Sequence, residues 1–346
     1  MFNELYIFEV KASEQTAAEV VSDIRVGWNL GNSLNCFSNK EDTESDIAKY
    51  ETMWRNPRTT REMIHTVKKV GFNAIRIPVT YYNHIDKNGI IDARWLARVA
   101  EVVQYCLDED MYVIINIHHD TGKGDTKPIQ ANVANLEKYK KYVENIWTQV
   151  ASYFKEYDYR LMFESMNETL DMTAQNPWYG NENSWTAMNQ LNQVFVDVVR
   201  ASGGNNLNRN LIVNTYGAQT TSGPIKYFEM PNDLVPNHLI IGVHTFASKQ
   251  SDISNYSWSL FSQFVSKGYP VIISEFGTSY KEKLSERITS AINVVNYGNM
   301  YGIKCFWWDD GGDYKLLDRN TNKWQYLALV NGMMTAVDVA EKKISK

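Results

Sequence analysis

Arg160-Leu161-Met162-Phe163-Glu164-Ser165-Met166-Asn167-Glu168 is the stretch that decides the architecture of this chain. Its apolar centre, Leu161-Met162-Phe163, suits a strand covered on both faces, as in a parallel sheet flanked by helices. The run then passes directly into Asn167 and Glu168. A carboxylate at the edge of a dry core costs several kcal/mol unless partners hold it, so Glu168 calls for a built polar site.

The same pattern recurs along the chain. β-rich runs read at 26–32, 74–79, 112–118, 160–167, 211–216, 239–246, 270–276 and 303–308. Amphipathic helical stripes lie between them, as in Leu96, Val99, Val103 and Cys106, and in Leu191, Val194, Phe195 and Val198. Gly71, Gly268 and Gly302 each stand just before a run, where a helix C-cap and turn belong. Strand–helix alternation predicts a parallel sheet. Eight alternations predict a closed (β/α)8 TIM barrel, with residues 1–346 as a single catalytic domain. The rival, a doubly wound open sheet, lacks a GxGxxG turn after its first strand.

Composition narrows the function classes. The chain has 346 residues, 44% of them hydrophobic, and a formal net charge of −5. That charge argues against a nucleic-acid partner. No apolar run is long enough for a membrane helix. Three scattered cysteines, Cys36, Cys106 and Cys305, suggest neither a disulfide framework nor a zinc cluster, and Cys106 and Cys305 read as core. Residues 1–11 show no apolar signal-peptide core.

Read to their C-terminal ends, the runs carry Asn29 and Asn32, Arg76, His118-His119-Asp120, Asn167-Glu168, Tyr216, His244, Glu275, and Trp308-Asp309-Asp310. In a barrel these ends converge on the face where active sites form. Glu275 follows Val271-Ile272-Ile273 as Glu168 follows its own apolar run. Arg76, His118, His244 and Asn167 are candidate partners for the two carboxylates, and carboxylates in such company mark catalytic sites. Two carboxylates facing across a cleft fit glycoside hydrolysis: one protonates the leaving oxygen and the other attacks the anomeric carbon. Asn29, Arg76, His118, His119, Asn167, His244 and Trp308 are expected around the substrate.

Bland readings stand beside these. Glu164 lies four residues before Glu168, on the same strand face, and reads as a supporting carboxylate. Paired histidines can open a metal site, but adjacent strand residues point to opposite faces, so no metal is assigned to His118 and His119. Trp28, Trp178, Trp185 and Trp258 divide evenly between sugar platforms and packing. Trp54, Trp95, Trp147 and Trp324 read as helix scaffold, and Asp309 and Asp310 as loop acids. His84 follows the second strand and reads more as scaffold than as a sugar contact.

These motifs together resemble glycoside hydrolase family 5. The carrying segments are Gly27-Trp28-Asn29-Leu30-Gly31-Asn32, Ile75-Arg76-Ile77-Pro78-Val79, Asn116-Ile117-His118-His119-Asp120, Phe163-Glu164-Ser165-Met166-Asn167-Glu168, Ile273-Ser274-Glu275-Phe276-Gly277 and Phe306-Trp307-Trp308-Asp309. The opening segment and the Trp-Trp-Asp ending look most like its endoglucanases, lichenases and xyloglucanases. The resemblance implies a retaining endo-β-1,4-glucanase, with Glu168 as acid/base and Glu275 as nucleophile. It implies that Asn167 binds the sugar 2-hydroxyl, that Arg76 keeps Glu275 ionised, that His118 and His244 position sugar and carboxylates, and that Trp308 floors the cleavage point. It implies no cofactor, a β-glucan partner, a monomer and an extracellular setting. Two positions depart from the family pattern. Thr169 replaces a proline, and His244-Thr245-Phe246 replaces His-x-Tyr, whose hydroxyl would donate to the nucleophile. Arg76 or another hydroxyl is the expected substitute. Xyloglucanase and mannanase are the same-fold alternatives. A non-catalytic carbohydrate-binding barrel and a metal-dependent amidohydrolase are the readings from other classes.

Overall fold

The computed structural model describes residues 14–38, 47–124 and 127–344. The N-terminal stretch read for a signal lies outside them. Eight strands form a closed, all-parallel barrel in chain order. They are β1 (Gly27–Leu30), β2 (Ala74–Ile77), β3 (Tyr112–Asn116), β4 (Leu161–Glu164), β5 (Leu211–Asn214), β6 (Leu239–Thr245), β7 (Val271–Phe276) and β8 (Lys304–Asp309). β8 closes on β1 in the register Gly27 to Phe306 and Leu30 to Asp309. Helices follow the strands in sequence, and the expected (β/α)8 barrel is what the chain forms.

Strands β1 to β5 stop earlier than their apolar runs suggest. β4 ends at Glu164, three residues before the expected end. Ser165 still donates its N–H to the Ile212 carbonyl at 2.8 Å; beyond it the chain leaves the ladder, and the side chain of Asn214 bonds the Met166 carbonyl at 2.7 Å. The chain bends away because its next residues serve the site and not the sheet.

Strand alternation layers the lumen. Ala74, Ile114, Met162, Ile212, Ile240, Ile272 and Phe306 form an apolar lower layer. The helix Ala17–Asp23 plugs it from below with Ala17, Val20 and Val21. That helix starts where it does because Thr16 and Glu19 form a reciprocal capping box. Phe306 fills the lumen against Gly27, where a Cβ would lie 2.0 Å from its ring. Two residues further along each of the first five strands the inward position turns polar: Asn29, Arg76, Asn116, Glu164 and Asn214, all fully buried. Gly268 and Gly302 end their helices in the left-handed conformation, as expected. Cys36, Cys106 and Cys305 are buried and free.

Asp309 is a correction to the sequence reading. It is a fully buried hub and not a loop acid. One of its carboxylate oxygens accepts Trp28 Nε1 (3.1 Å) and the N–H groups of Leu316 (2.8 Å) and Leu317 (3.1 Å). The other accepts Gly311 N–H at 2.9 Å and Arg319 at 3.1 Å. It ties β1, the end of β8 and the following loop together.

Asp309→Ala is expected to leave the buried Arg319 guanidinium without its counter-charge. The expected cost is about 3–5 kcal/mol. Urea unfolding of the variant against the parent measures it, and a difference under about 1 kcal/mol would remove Asp309 from this role.

Candidate active site

The polar layer is organised by Arg76, which has no solvent exposure. Its Nε donates to Glu164 Oε2 at 2.6 Å and its Nη1 to Glu275 Oε1 at 2.6 Å. Nη1 also reaches Asn29 Oδ1, and Nη2 reaches Asn167 Oδ1, each at 3.0 Å. Glu164 is completed by Asn116 Nδ2 at 3.0 Å. Burial alone would lower the Arg76 pKa, but Glu164 and Glu275 outweigh it and raise it. The guanidinium therefore stays charged.

Glu275 reaches the lumen through a backbone irregularity. Ile272 faces the lumen and Ile273 faces the helices. Strict alternation would return Ser274 inward and send Glu275 outward. The register instead pairs Val243 with Ile273 and then His244 with Glu275. Ser274 is the extra residue of a bulge, and bulges re-aim side chains. Glu275 turns inward as a result and meets Arg76.

His244 bridges the two expected catalytic carboxylates. Its Nδ1 lies 3.0 Å from Glu168 Oε1 and 3.6 Å from Glu275 Oε2. One oxygen of Glu168 and one of Glu275 lie within 4.8 Å of each other. That closeness is in keeping with the carboxyl pairs of retaining glycosidases, about 5–5.5 Å apart. The two carboxylates sit in unequal surroundings. The Glu275 side chain is 6% exposed and clamped by Arg76, whereas Glu168 is 24% exposed with His244 as its partner. Burial raises the Glu275 pKa, opposed by the charges of His244 and Arg76. Burial lowers that of His244, but Glu275 and Glu168 prevail and raise it.

His118 stands across the cleft. Burial, then the neighbouring cations, hold its pKa well below the usual histidine value. Its Nδ1 lies 3.3 Å from the Asn116 amide nitrogen, which it accepts as a neutral ring. Its ring lies parallel to that of Trp308, with an interplanar angle of 7° and centroids 5.7 Å apart. Trp308 is half-buried. His119 does not point away from His118 as strand alternation predicts: both lie beyond the end of β3, and their rings meet edge to face with centroids 4.5 Å apart. The His119 ring also sits against Phe37 (4.9 Å) and Trp54 (5.4 Å), and burial lowers its pKa to about 3. Among the described residues neither histidine belongs to a group of three or more His, Cys, Asp or Glu side chains placed to share a metal ion. One donor atom each from Glu168, His244 and Glu275 could share a cation, but Arg76 already neutralises Glu275 there.

Asn29 corrects a second expectation. It does not face a ligand: its oxygen is taken by Arg76 and its amide nitrogen by the Ser274 carbonyl at 2.9 Å. It braces the guanidinium and the bulge. Asn167 differs, since Arg76 holds its oxygen and the amide N–H groups are left for a ligand. Thr169 donates its N–H to the Asn167 carbonyl at 3.1 Å, a bond that proline could not make.

At position 246 the phenyl ring is 40% exposed and stands edge-on to Tyr314 at 5.4 Å. Among the described residues no hydroxyl bonds to Glu275, and Arg76 is its close donor. Trp28 and Trp185 are buried, so both are packing residues, while Trp178 (41%) and Trp258 (56%) are exposed. His84 is buried, its ring stacked on Trp95 at 3.7 Å. Phe37 and Trp54 were not legible as packing partners of His119. Asn116 and Asn214 were legible from position, two residues beyond the inward Ile114 and Ile212.

A barrel carrying two close carboxylates, one clamped by a buried arginine, is the kind of arrangement that glycoside hydrolysis uses. Residues 38–313 match the Cellulase (glycosyl hydrolase family 5) family, and the chain belongs to it. Cellulase/esterase CelE of Acetivibrio thermocellus is 36% identical over 94% of this chain. The chain spans 41% of that relative's length. A GH5-4 broad specificity endoglucanase from Ruminococcus champanellensis, solved with bound cellotriose, superposes with a TM-score of 0.89 at 35% identity. That match covers 93% of this chain and 99% of the other. The lichenase of Caldicellulosiruptor sp. F32, solved with cellotetraose, gives a TM-score of 0.87 at 37% identity, covering 97% and 99%.

His244→Gln removes a charge that lowers the Glu275 pKa. A nucleophilic Glu275 must be ionised, so activity falls as pH drops through its pKa. The acid limb of kcat/KM against pH is expected to move to higher pH in the variant. A limb that stays in place, or moves down, contradicts the coupling.

Proposed function

We propose that the chain is a retaining endo-β-1,4-glucanase acting on β-glucans such as cellulose chains and mixed-linkage glucan. The observation that carries this reading is the unequal carboxylate pair within 4.8 Å. Glu275 is the nucleophile. Arg76 holds Oε1 as carboxylate, leaving Oε2 to form the bond to the anomeric carbon. Glu168, the more exposed partner, is the acid/base. It gives its proton to the glycosidic oxygen as the C–O bond breaks. It then takes a proton from the water that attacks the anomeric carbon and displaces Glu275. Asn167 donates to the sugar 2-hydroxyl, and Trp308 with His118 walls the sugar at the cleavage point.

The endoglucanase and lichenase relatives support this polymer class. A polymeric substrate also places the enzyme's work outside the cell, and no helix of the described residues is long and apolar enough to cross a membrane. The catalytic unit is the one barrel, working as a monomer with no cofactor.

A hydrolysis panel on cellulose derivatives, mixed-linkage glucan, xyloglucan and mannan tests the substrate class. Glu168→Gln and Glu275→Gln are each expected to lose about 10²–10⁴-fold or more in kcat on the preferred glucan. Proton NMR of the first product is expected to show the β-anomer. Full activity in either variant, or initial α-product, would overturn the mechanism. Activity confined to xyloglucan or mannan would move the chain to those alternatives.

A further inference from the structure

Away from the cleft, the helices that follow β6 and β7 carry an unusual outer face. In a chain with 22% charged residues, 253–266 and 288–303 contain no Asp, Glu, Lys, Arg or His. These runs form most of the adjacent helices Gln250–Gln263 and Leu284–Tyr301, which pack side by side. Solvent-facing helix surfaces normally alternate charges. Here the exposed positions carry amides, as at Asn255 and Asn296.

Aromatic rings fill the same face. Trp258 is 56% exposed. Its ring centroid lies 5.7 Å from Phe261 and 6.0 Å from Tyr301, and those two lie 5.1 Å apart. Met300 beside them is 68% exposed. A contiguous apolar patch of this kind marks an interaction surface. Its neutrality selects the partner. A nucleic acid or an ion finds no counter-charge there. A neutral polysaccharide presents flat C–H faces to aromatic rings and hydroxyl groups to amides and serines, which both donate and accept.

We infer that the Trp258–Phe261–Tyr301 face is a second, non-catalytic binding site for a neutral β-glucan chain on the barrel flank. The choice of glucan rests on the proposed function. The site keeps the polymer on the enzyme while the cleft cuts it. Short oligosaccharides that fill the cleft gain nothing from it.

The test uses Glu275→Gln protein, which cannot degrade the probe, in native gels containing soluble mixed-linkage β-glucan. Saturating cellotetraose fills the cleft. The parent is expected to remain retarded, whereas adding Trp258→Ala reduces retardation at least about five-fold and Trp258→Phe restores most of it. In otherwise unmutated enzyme, Trp258→Ala is expected to keep its Tm and its kcat/KM on cellotetraose. Equal retardation of parent and Trp258→Ala overturns the site. So does size-exclusion chromatography with light scattering showing a dimer that Trp258→Ala dissolves, because the face would then pair two copies. Glucan binding through Trp258 in this test, together with no hydrolysis of any β-glucan by the unmutated enzyme, would sink the proposed activity and leave this site standing.

Discussion

The guanidinium of Arg76, with no exposure to solvent, sits between the carboxylates of Glu164 and Glu275, and the upper half of the barrel depends on it. Removing one partner from such a buried set costs roughly 3–5 kcal/mol, a large share of a domain's stability. The surrounding sequence answers that cost. Asn116 completes Glu164, and Asn29 and Asn167 accept two more N–H groups of Arg76. The same bonds that satisfy a buried charge also fix the position of Glu275 and the orientation of Asn167. Stability and preorganisation are one arrangement here.

The bulge at Ser274 is the second constraint. Without it, β7 would deliver Glu275 to the helices and Arg76 would face a single carboxylate. The amide of Asn29 holds the Ser274 carbonyl, so the residue that braces the arginine also braces the bulge. His244 stands opposite the bulge in register and spans the two carboxylates. An inward turn of one residue thus brings Glu275 to Arg76 and, through His244, beside Glu168.

The barrel was legible because strands covered on both faces read as unbroken apolar runs, as in Val271-Ile272-Ile273. Their ends were harder to place, since residues such as Met166 are apolar yet lie beyond the ladder. Glu164 was legible by alternation from Glu168. Glu275 was legible as a carboxylate ending the apolar run Val271-Ile272-Ile273, but its inward turn was not, because a bulge leaves no mark in a hydrophobic pattern. Asn29 and Asp309 carry the polar residue types of a ligand site, but their bonds run to the protein. Trp54 and Phe37 pack against His119 across long sequence separations, which local spacing does not encode.

The central claim is that Glu275 forms a covalent bond to the sugar. A slow 2-deoxy-2-fluoro cellobioside with a good leaving group, followed by intact-mass and peptide mass spectrometry, tests it directly. The account predicts a mass gain of one fluorocellobiosyl unit, located on the peptide containing Glu275 and released on adding an acceptor sugar. A label on another residue, or turnover with no labelled enzyme, would contradict it.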